Sequence, residues 1–349
     1  MRKEEIAILK RIIALVLTVL MALGALAGCD KAPSVETSVA TTAADEESKQ
    51  YFKVLTLGHS LTVDCNHMLA LVAAAEGYAG LEVGTLYASG CPMKTHVYNL
   101  QNDIKGYSLY YSTSDNVAAT PKITNDVSMK DALIFRDWDL IVMQGGSFDL
   151  ALEDTYTDGN IQIIQDYVNE YKLNKNADFA WHLGWAFATD PDLQAIYTKQ
   201  TGLEKNFYTE GYKPYNNDRM VLYNKFCANA EKYIVPNETF QFIIPTGTML
   251  ENAMSSYMTE KDLLRDYAHG TDFSRLMGAY IWYCRIANVE QLEDIKLTTV
   301  PRNFIKTYAG AGDMTLTEAE KAILIESVNN ALKQPLQQTQ SQYTEAPAK

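Results

Sequence analysis

Metal-binding patterns and positive charge are both scarce in this chain. Its 349 residues include only 5 His and 5 Cys. Nowhere do they form His-Glu-x-x-His or Cys-x-x-Cys, so neither a metal nor an organic cofactor is expected. Lys and Arg number 30 against 43 Asp and Glu, a net charge of −13. Such a surface repels nucleic acid, and no basic patch with interleaved aromatics offsets it. A polyanionic substrate is disfavoured for the same reason. The G-x-S-x-G elbow of lipase-like hydrolases is also missing, because Thr62 stands where its last glycine would be.

What is present is a serine at the tip of an apolar run. Tyr51 to Leu57 leads into Gly58-His59-Ser60, and Asp266-Tyr267-Ala268-His269 follows about two hundred residues later. Serine is a poor nucleophile at neutral pH. It needs an imidazole to take its proton and a carboxylate to hold that imidazole in the right tautomer. Ser60, His269 and Asp266 supply that set, with Gly58 giving the backbone room to turn before the nucleophile.

The order of these residues, serine first and then Asp and His three apart, resembles the SGNH (GDSL-like) hydrolase superfamily. Val54 to Thr62 is similar to its first block, with His59 where Asp is commoner. Ala88-Ser89-Gly90-Cys91 resembles the second block, and Asp137 to Ser147 the third strand and its block. Ile243 to Thr248 resembles the last strand before Asp-x-x-His. Within the superfamily the likeness is greatest to a bacterial branch with a Gly-Asn-Ser nucleophile motif, a Gly-Cys pair before a His (here Gly90, Cys91 and His96) and a Trp-Asp-strand-Gln run. The resemblance spans residues 51 to 290. It implies an ester hydrolase in which the backbone N–H groups of Ser60 and Gly90 bind the oxyanion. The superfamily's third-block Asn is absent, and Gln144 is the natural substitute because its amide donates from nearly the same place. His59, His96, Gly145, Trp181 and Trp185 are expected to line the substrate site, with His59 equally readable as a surface residue or a contact to the neighbouring loop.

Both ends of the chain read as non-domain. Lys3, Lys10 and Arg11 precede an uncharged stretch from Ile12 to Gly28. Leu26-Ala27-Gly28-Cys29 resembles a bacterial lipobox, which implies cleavage before Cys29, a lipid anchor on it and a place in the cell envelope. Residues 29–50, rich in Ser, Thr, Ala and Glu, are expected to form a flexible tether. The Gln-rich residues 335–349 are expected to be a disordered tail. The hydrolase domain is then 51–334.

Within it the sequence predicts an α/β fold, a three-layer sandwich around a mainly parallel five-stranded sheet of the flavodoxin-like kind. The strand candidates are Phe52 to Leu57, Gly80 to Tyr87, Leu140 to Gln144, Asp178 to Leu183 and Phe240 to Pro245, short runs of the kind buried on both faces. Helices are expected at Asn66 to Glu76, Asn160 to Lys172, Asp218 to Tyr233, Asp272 to Ala287 and Leu316 to Leu332, the last with a capping box at Thr317 and Glu320.

Of the cysteines after Cys29, no two have redox-like spacing. Cys65, Cys91, Cys227 and Cys284 read as buried thiols, with a Cys65–Cys91 bridge as the alternative. Tyr98, Tyr107, Tyr110 and Tyr111 suggest either a sugar platform or a two-stranded flap packed over the sheet. The sequence therefore points to a small ester, most plausibly an acylated carbohydrate, as substrate, with the membrane reached through Cys29 and no nucleic acid partner. A glycan- or peptide-binding lipoprotein and an O-acyltransferase are the rival readings.

Overall fold

The computed structural model describes residues 52–146, 148–202, 211–305 and 312–347. The expected leader, Cys29, the tether and Ser147 lie outside the described residues.

Apolar runs with no polar alternation build the centre of the sheet. β1 (Phe52–Gly58), β5 (Leu140–Met143) and β6 (Asp178–His182) are buried at nearly every successive position. Neighbouring strand side chains point to opposite faces, so both faces of these strands are covered. With β2 (Leu81–Tyr87) and β7 (Phe240–Ile244) they form the five parallel strands expected.

The sheet has seven strands, not five. Its order is β4-β3-β2-β1-β5-β6-β7, and β3 (Tyr107–Thr113) and β4 (Lys122–Val127) are an antiparallel extension beyond β2. The tyrosine-rich insertion thus lengthens the sheet edge instead of folding over it as a flap. β4 is exposed at five of its six positions, so it lacks the apolar signal that marks a buried strand. A second, two-stranded sheet pairs β8 (Thr299–Val300) with β9 (Met314–Thr315).

The helices fall into two groups that cover the sheet. One comprises α1 (Ser60–Asn66), α2 (Leu69–Glu76), α9 (Thr246–Met254), α11 (Asp272–Ile286) and α12 (Glu318–Lys333), which pack on one another. The other holds α3 (Met93–Gln101), α4 (Met129–Leu133), α5 (Asp154–Thr157) and α6 (Asn160–Tyr171). α7 (Pro191–Thr201), α8 (Arg219–Tyr233) and the short α10 (Glu260–Leu263) complete the described helices. The first expected helix is two: α1 begins six residues early, at Ser60, and α2 restarts after His67 and Met68. α12 carries the expected reciprocal capping box between Thr317 and Glu320.

The Gln-rich tail corrects the composition-based expectation. Residues 335–343 lie as an ordered strap across α9 and α12. The Thr248 hydroxyl donates to Pro335 O at 2.5 Å, Gln338 Nε2 to Glu251 O at 2.8 Å and Gln340 Nε2 to Ser255 O at 2.7 Å. Asn252 Oδ1 accepts from Thr339 N at 2.7 Å, and Tyr257 N donates to Tyr343 O at 2.9 Å. The glutamines that lower the segment's hydropathy are the groups that bind backbone carbonyls in the last turn of α9.

All four described cysteines are free and buried. Cys65 packs against Gly278 of α11, whose position would bring an added Cβ within 3.0 Å of the sulfur. Burial pushes the Cys65 thiol well up, and burial moves Cys91 up to about 12. The Cys65–Cys91 alternative is therefore not realised.

Candidate functional site

The turn that carries Ser60 is built at the carboxyl end of β1, the point where the sheet order reverses between β2 and β5 and where ligands gather in open α/β sheets. Gly58 is needed there for space. A Cβ at Gly58 would fall 2.2 Å from Thr62 Oγ1 and 3.1 Å from Gln144 Oε1. The room it leaves admits a buried hydrogen bond from the Thr62 hydroxyl to Gln144 Oε1. His59 follows in extended backbone and caps α1, its Nδ1 facing Leu61 N at 3.5 Å. Its other nitrogen, Nε2, lies 3.2 Å from Gly145 O on the third-block loop, so the proton sits on Nε2 and Nδ1 accepts. Burial, and next the charge of His269, lower His59 to about 4 against the pull of its bond to Gly145. Ser60 is the first residue of α1 and half-buried. Its N–H has no partner within the helix.

The second block stands beside this turn. Gly90 is exposed with φ +56, and an added Cβ there would meet nothing within 4 Å. Space does not require glycine there, but the left-handed backbone favours it. The third-block loop touches the second: a Cβ on Gly146 would come 3.1 Å from Pro92 Cα.

Asp266 and His269 form a compact turn of their own. An isolated antiparallel bridge joins Leu264 to Gly270, and Arg265 N donates to His269 O at 2.9 Å. Inside the turn Asp266 Oδ1 accepts from the N–H groups of Ala268 and His269, each at 2.9 Å. Both carboxylate oxygens lie 3.0 Å from His269 Nδ1. Burial works to raise Asp266, but the bond and charge of His269 and the two backbone donors outweigh it and hold Asp266 below the usual carboxylate range. An ionised Asp266 fixes the proton on Nδ1 and leaves Nε2 as the basic nitrogen.

Charge joins the two turns. Asp64, one helical turn past Ser60, accepts from Gly270 N at 3.0 Å and lies 3.3 Å from Arg265 Nη1 and Nη2. From the other side, Trp185 Nε1 donates to Ala268 O at 2.8 Å and Ala188 N to Tyr267 O at 2.8 Å. No hydrogen bond joins Ser60 to His269 directly among the described residues.

Several expected substrate contacts are placed elsewhere. His59 and His96 are each 1% exposed. His96 stacks on Tyr107 at 5.6 Å, with Nδ1 3.0 Å from the Tyr107 hydroxyl, and burial lowers it to about 3. Trp181 is fully buried between Tyr156 and Phe240, and Trp185 lies behind the Asp266 turn. Gly145 is buried, its carbonyl taken by His59. Gln144 is also buried, its Oε1 held by Thr62 and its Nε2 without a partner among the described residues. The aromatics beside the base are others: Tyr197 of α7 lies 5.8 Å from His269, and Phe187, 5.2 Å from Phe148, lies 4.8 Å from Tyr267. Nothing in the sequence around Tyr197 or Phe148 forms a motif, and Asp64 and Arg265 carry only the signal of standing near Ser60 and Asp266. A groove of about 620 Å³ along the edge strand β7, lined by Ile234, Phe240, Phe242 and Leu336, contains none of these residues.

A family model described as a domain of unknown function, DUF4886, matches residues 53–302. The chain belongs to the DUF4886 family. A crystal structure of a DUF4886 protein from Bacteroides uniformis superposes with a TM-score of 0.67 at 22% identity, covering 85% of this chain and 100% of that one. The shared α/β fold is what that likeness shows. A protein from Slackia heliotrinireducens, described as a candidate SGNH hydrolase, aligns with a TM-score of 0.40 and 14% identity over 67% of this chain and 98% of that one. No curated protein matches the chain.

Proposed function

We propose that this DUF4886 protein is a serine esterase of SGNH type, anchored to the outer face of a bacterial membrane and removing acetyl or other small acyl groups from carbohydrate. The observation that carries the reading is the Asp266–His269 pair, bonded at 3.0 Å and bound through Asp64 to the helix that Ser60 opens. Ser60 Oγ attacks the ester carbonyl as His269 Nε2 takes its proton. The carbonyl π bond becomes the oxyanion, and its collapse expels the alcohol, which receives that proton from His269. Water then repeats the sequence on the acyl-enzyme, returning Ser60 and releasing the acid.

The backbone N–H groups of Ser60 and Gly90 are the main oxyanion donors, with Gln144 Nε2 as the third. Each is worth on the order of 3 kcal/mol in the transition state. Half-buried Tyr197 stands 5.8 Å from His269 and offers a ring face suited to a sugar. Lipidation at Cys29 would hold the domain on a tether whose root-mean-square span is roughly 25 Å.

The test is covalent labelling of the full chain by a fluorophosphonate. Wild type is expected to label and Ser60→Ala to lose the label entirely. Label that persists in the variant means another nucleophile, and none in either form favours a binding protein on the same fold, as the missing direct Ser60–His269 bond would suit. Palmitate incorporation in cells is expected for wild type and lost in Cys29→Ser. Equal incorporation removes the anchor.

A further inference from the structure

Charged groups cluster around the Asp266–His269 turn. Asp64 sits 3.3 Å from Arg265 and 3.4 Å from Arg275 Nε, and Arg275 Nη1 bonds Asp272 at 2.7 Å. Asp266 lies 3.9 Å from Arg265 Nε. Asp64, Asp266, Asp272 and Arg275 are almost fully buried, and Arg265 is partly exposed. Among the described residues, the groups around His269 are Asp266 and Arg265 on its own turn, His59 and Asp64 from the Ser60 side and Tyr197 from α7, with Arg275 and Asp272 of α11 behind Asp64. His59 is neutral, as burial keeps it to about 4.

We infer that Asp64 is the positioning residue of this site: it sets the Asp266–His269 turn against the Ser60 helix and places a fixed negative charge where the imidazolium of His269 forms when it takes the serine proton. The inference rests on the esterase reading. Its geometry is direct, since Asp64 is four residues past Ser60 and so on the same helix face, while Gly270, one residue past His269, gives Asp64 its N–H. A buried cluster of ions is a poor device for stability, because desolvation offsets most of the attraction. What it provides here is a fixed separation and a negative charge held in place by Gly270 N and Arg265. Charge arranged before the reaction needs no reorganisation during it.

Two substitutions of opposite sign test this in the full-length protein, with p-nitrophenyl acetate turnover and the fluorophosphonate labelling rate followed from pH 5 to 9. Asp64→Asn should lower kcat by about ten- to hundredfold with KM within about twofold, because it loosens the base without touching substrate. The acidic limb of its profile should move to lower pH by up to about one unit, since Arg265 now opposes the imidazolium without a counter-charge. Arg265→Gln, at a partly exposed position, should move the same limb to higher pH, with its circular dichroism spectrum checked against wild type. Loss of packing alone cannot produce shifts of opposite sign. If the two limbs move together, or neither moves, Asp64 is structural and the inference falls while the esterase stands. If wild type itself fails to label at Ser60, the esterase reading fails first.

Discussion

The nucleophile turn and the base turn lie side by side but are held by different forces. Around Ser60 the contacts are neutral and buried: Thr62 to Gln144, His59 to Gly145, His59 to Leu61. Around His269 they are ionic: Asp266, Asp64, Arg265 and Arg275. Neutral buried bonds have strict geometry and a high cost if one partner is lost, whereas charges act over distance and bias protonation. On the proposed esterase reading, the nucleophile uses the first kind of support and the base that must accept a proton uses the second.

The comparison breaks most severely at Asp266. Asp266→Asn keeps the shape of the base turn but removes its charge and reverses the preferred tautomer, so kcat with p-nitrophenyl acetate should fall by on the order of 10⁴, as in other Ser-His-Asp sites. A fall under tenfold would mean that Asp266 shapes the turn and another group orients His269.

On the nucleophile side, Gln144→Ala should lower kcat by about a hundredfold if its Nε2 donates to the oxyanion. It also strips Thr62 of its acceptor. Thr62→Val separates the two roles, because it empties the Gln144 Oε1 bond while sparing Nε2. Equal losses in the two variants would assign Gln144 to support of the turn, and a Gly145 or Gly146 backbone N–H would become the third donor.

The smallest effect is a pH dependence that should strike the nucleophile side first. Burial lowers His59 to about 4 and His182 and His96 to about 3. The unfolded chain, with ordinary histidines near 6.5, binds protons that the folded chain refuses. Stability is therefore full above that value and is lost as pH falls from about 6.5 towards 4. Glu251, pushed up by burial to about 7 although Arg219 lies 2.8 Å away, works in the opposite sense. After it offsets one histidine, the net loss between pH 6 and 5 is on the order of 2 kcal/mol. Denaturant melts at the two pH values measure it. An unchanged midpoint would mean that these histidines take up protons in the folded state.

Legibility followed burial and repetition. The five parallel strands could be read because continuous apolar runs of that length have few other uses, and Thr317 with Glu320 announced the last helix. β3 and β4 were expected only as an alternative, and as a flap over the sheet, because an edge hairpin with one solvated face has mixed composition, and the Gln-rich strap was missed because low hydropathy was read as disorder. Order and spacing made Ser60, Asp266 and His269 the candidate set, and the structure brings the Asp266–His269 pair beside the helix that Ser60 opens without a direct Ser60–His269 bond. Trp181, His96 and His59 were read as site walls because a residue near a motif in sequence need not face the same way in space.

The sequence by itself determined the α/β class, the central strands, the acidic surface and the serine, aspartate and histidine set, since each rests on local pattern or on composition. The tertiary structure alone decided that His59 turns inward to cap the nucleophile helix and that two further strands extend the sheet. It also decided that the C-terminal segment is bound and that Asp64 joins the two turns. The reason is physical: hydrogen bonds and ion pairs between residues some two hundred positions apart leave no periodicity in the chain, and only folding brings their partners within 3 Å.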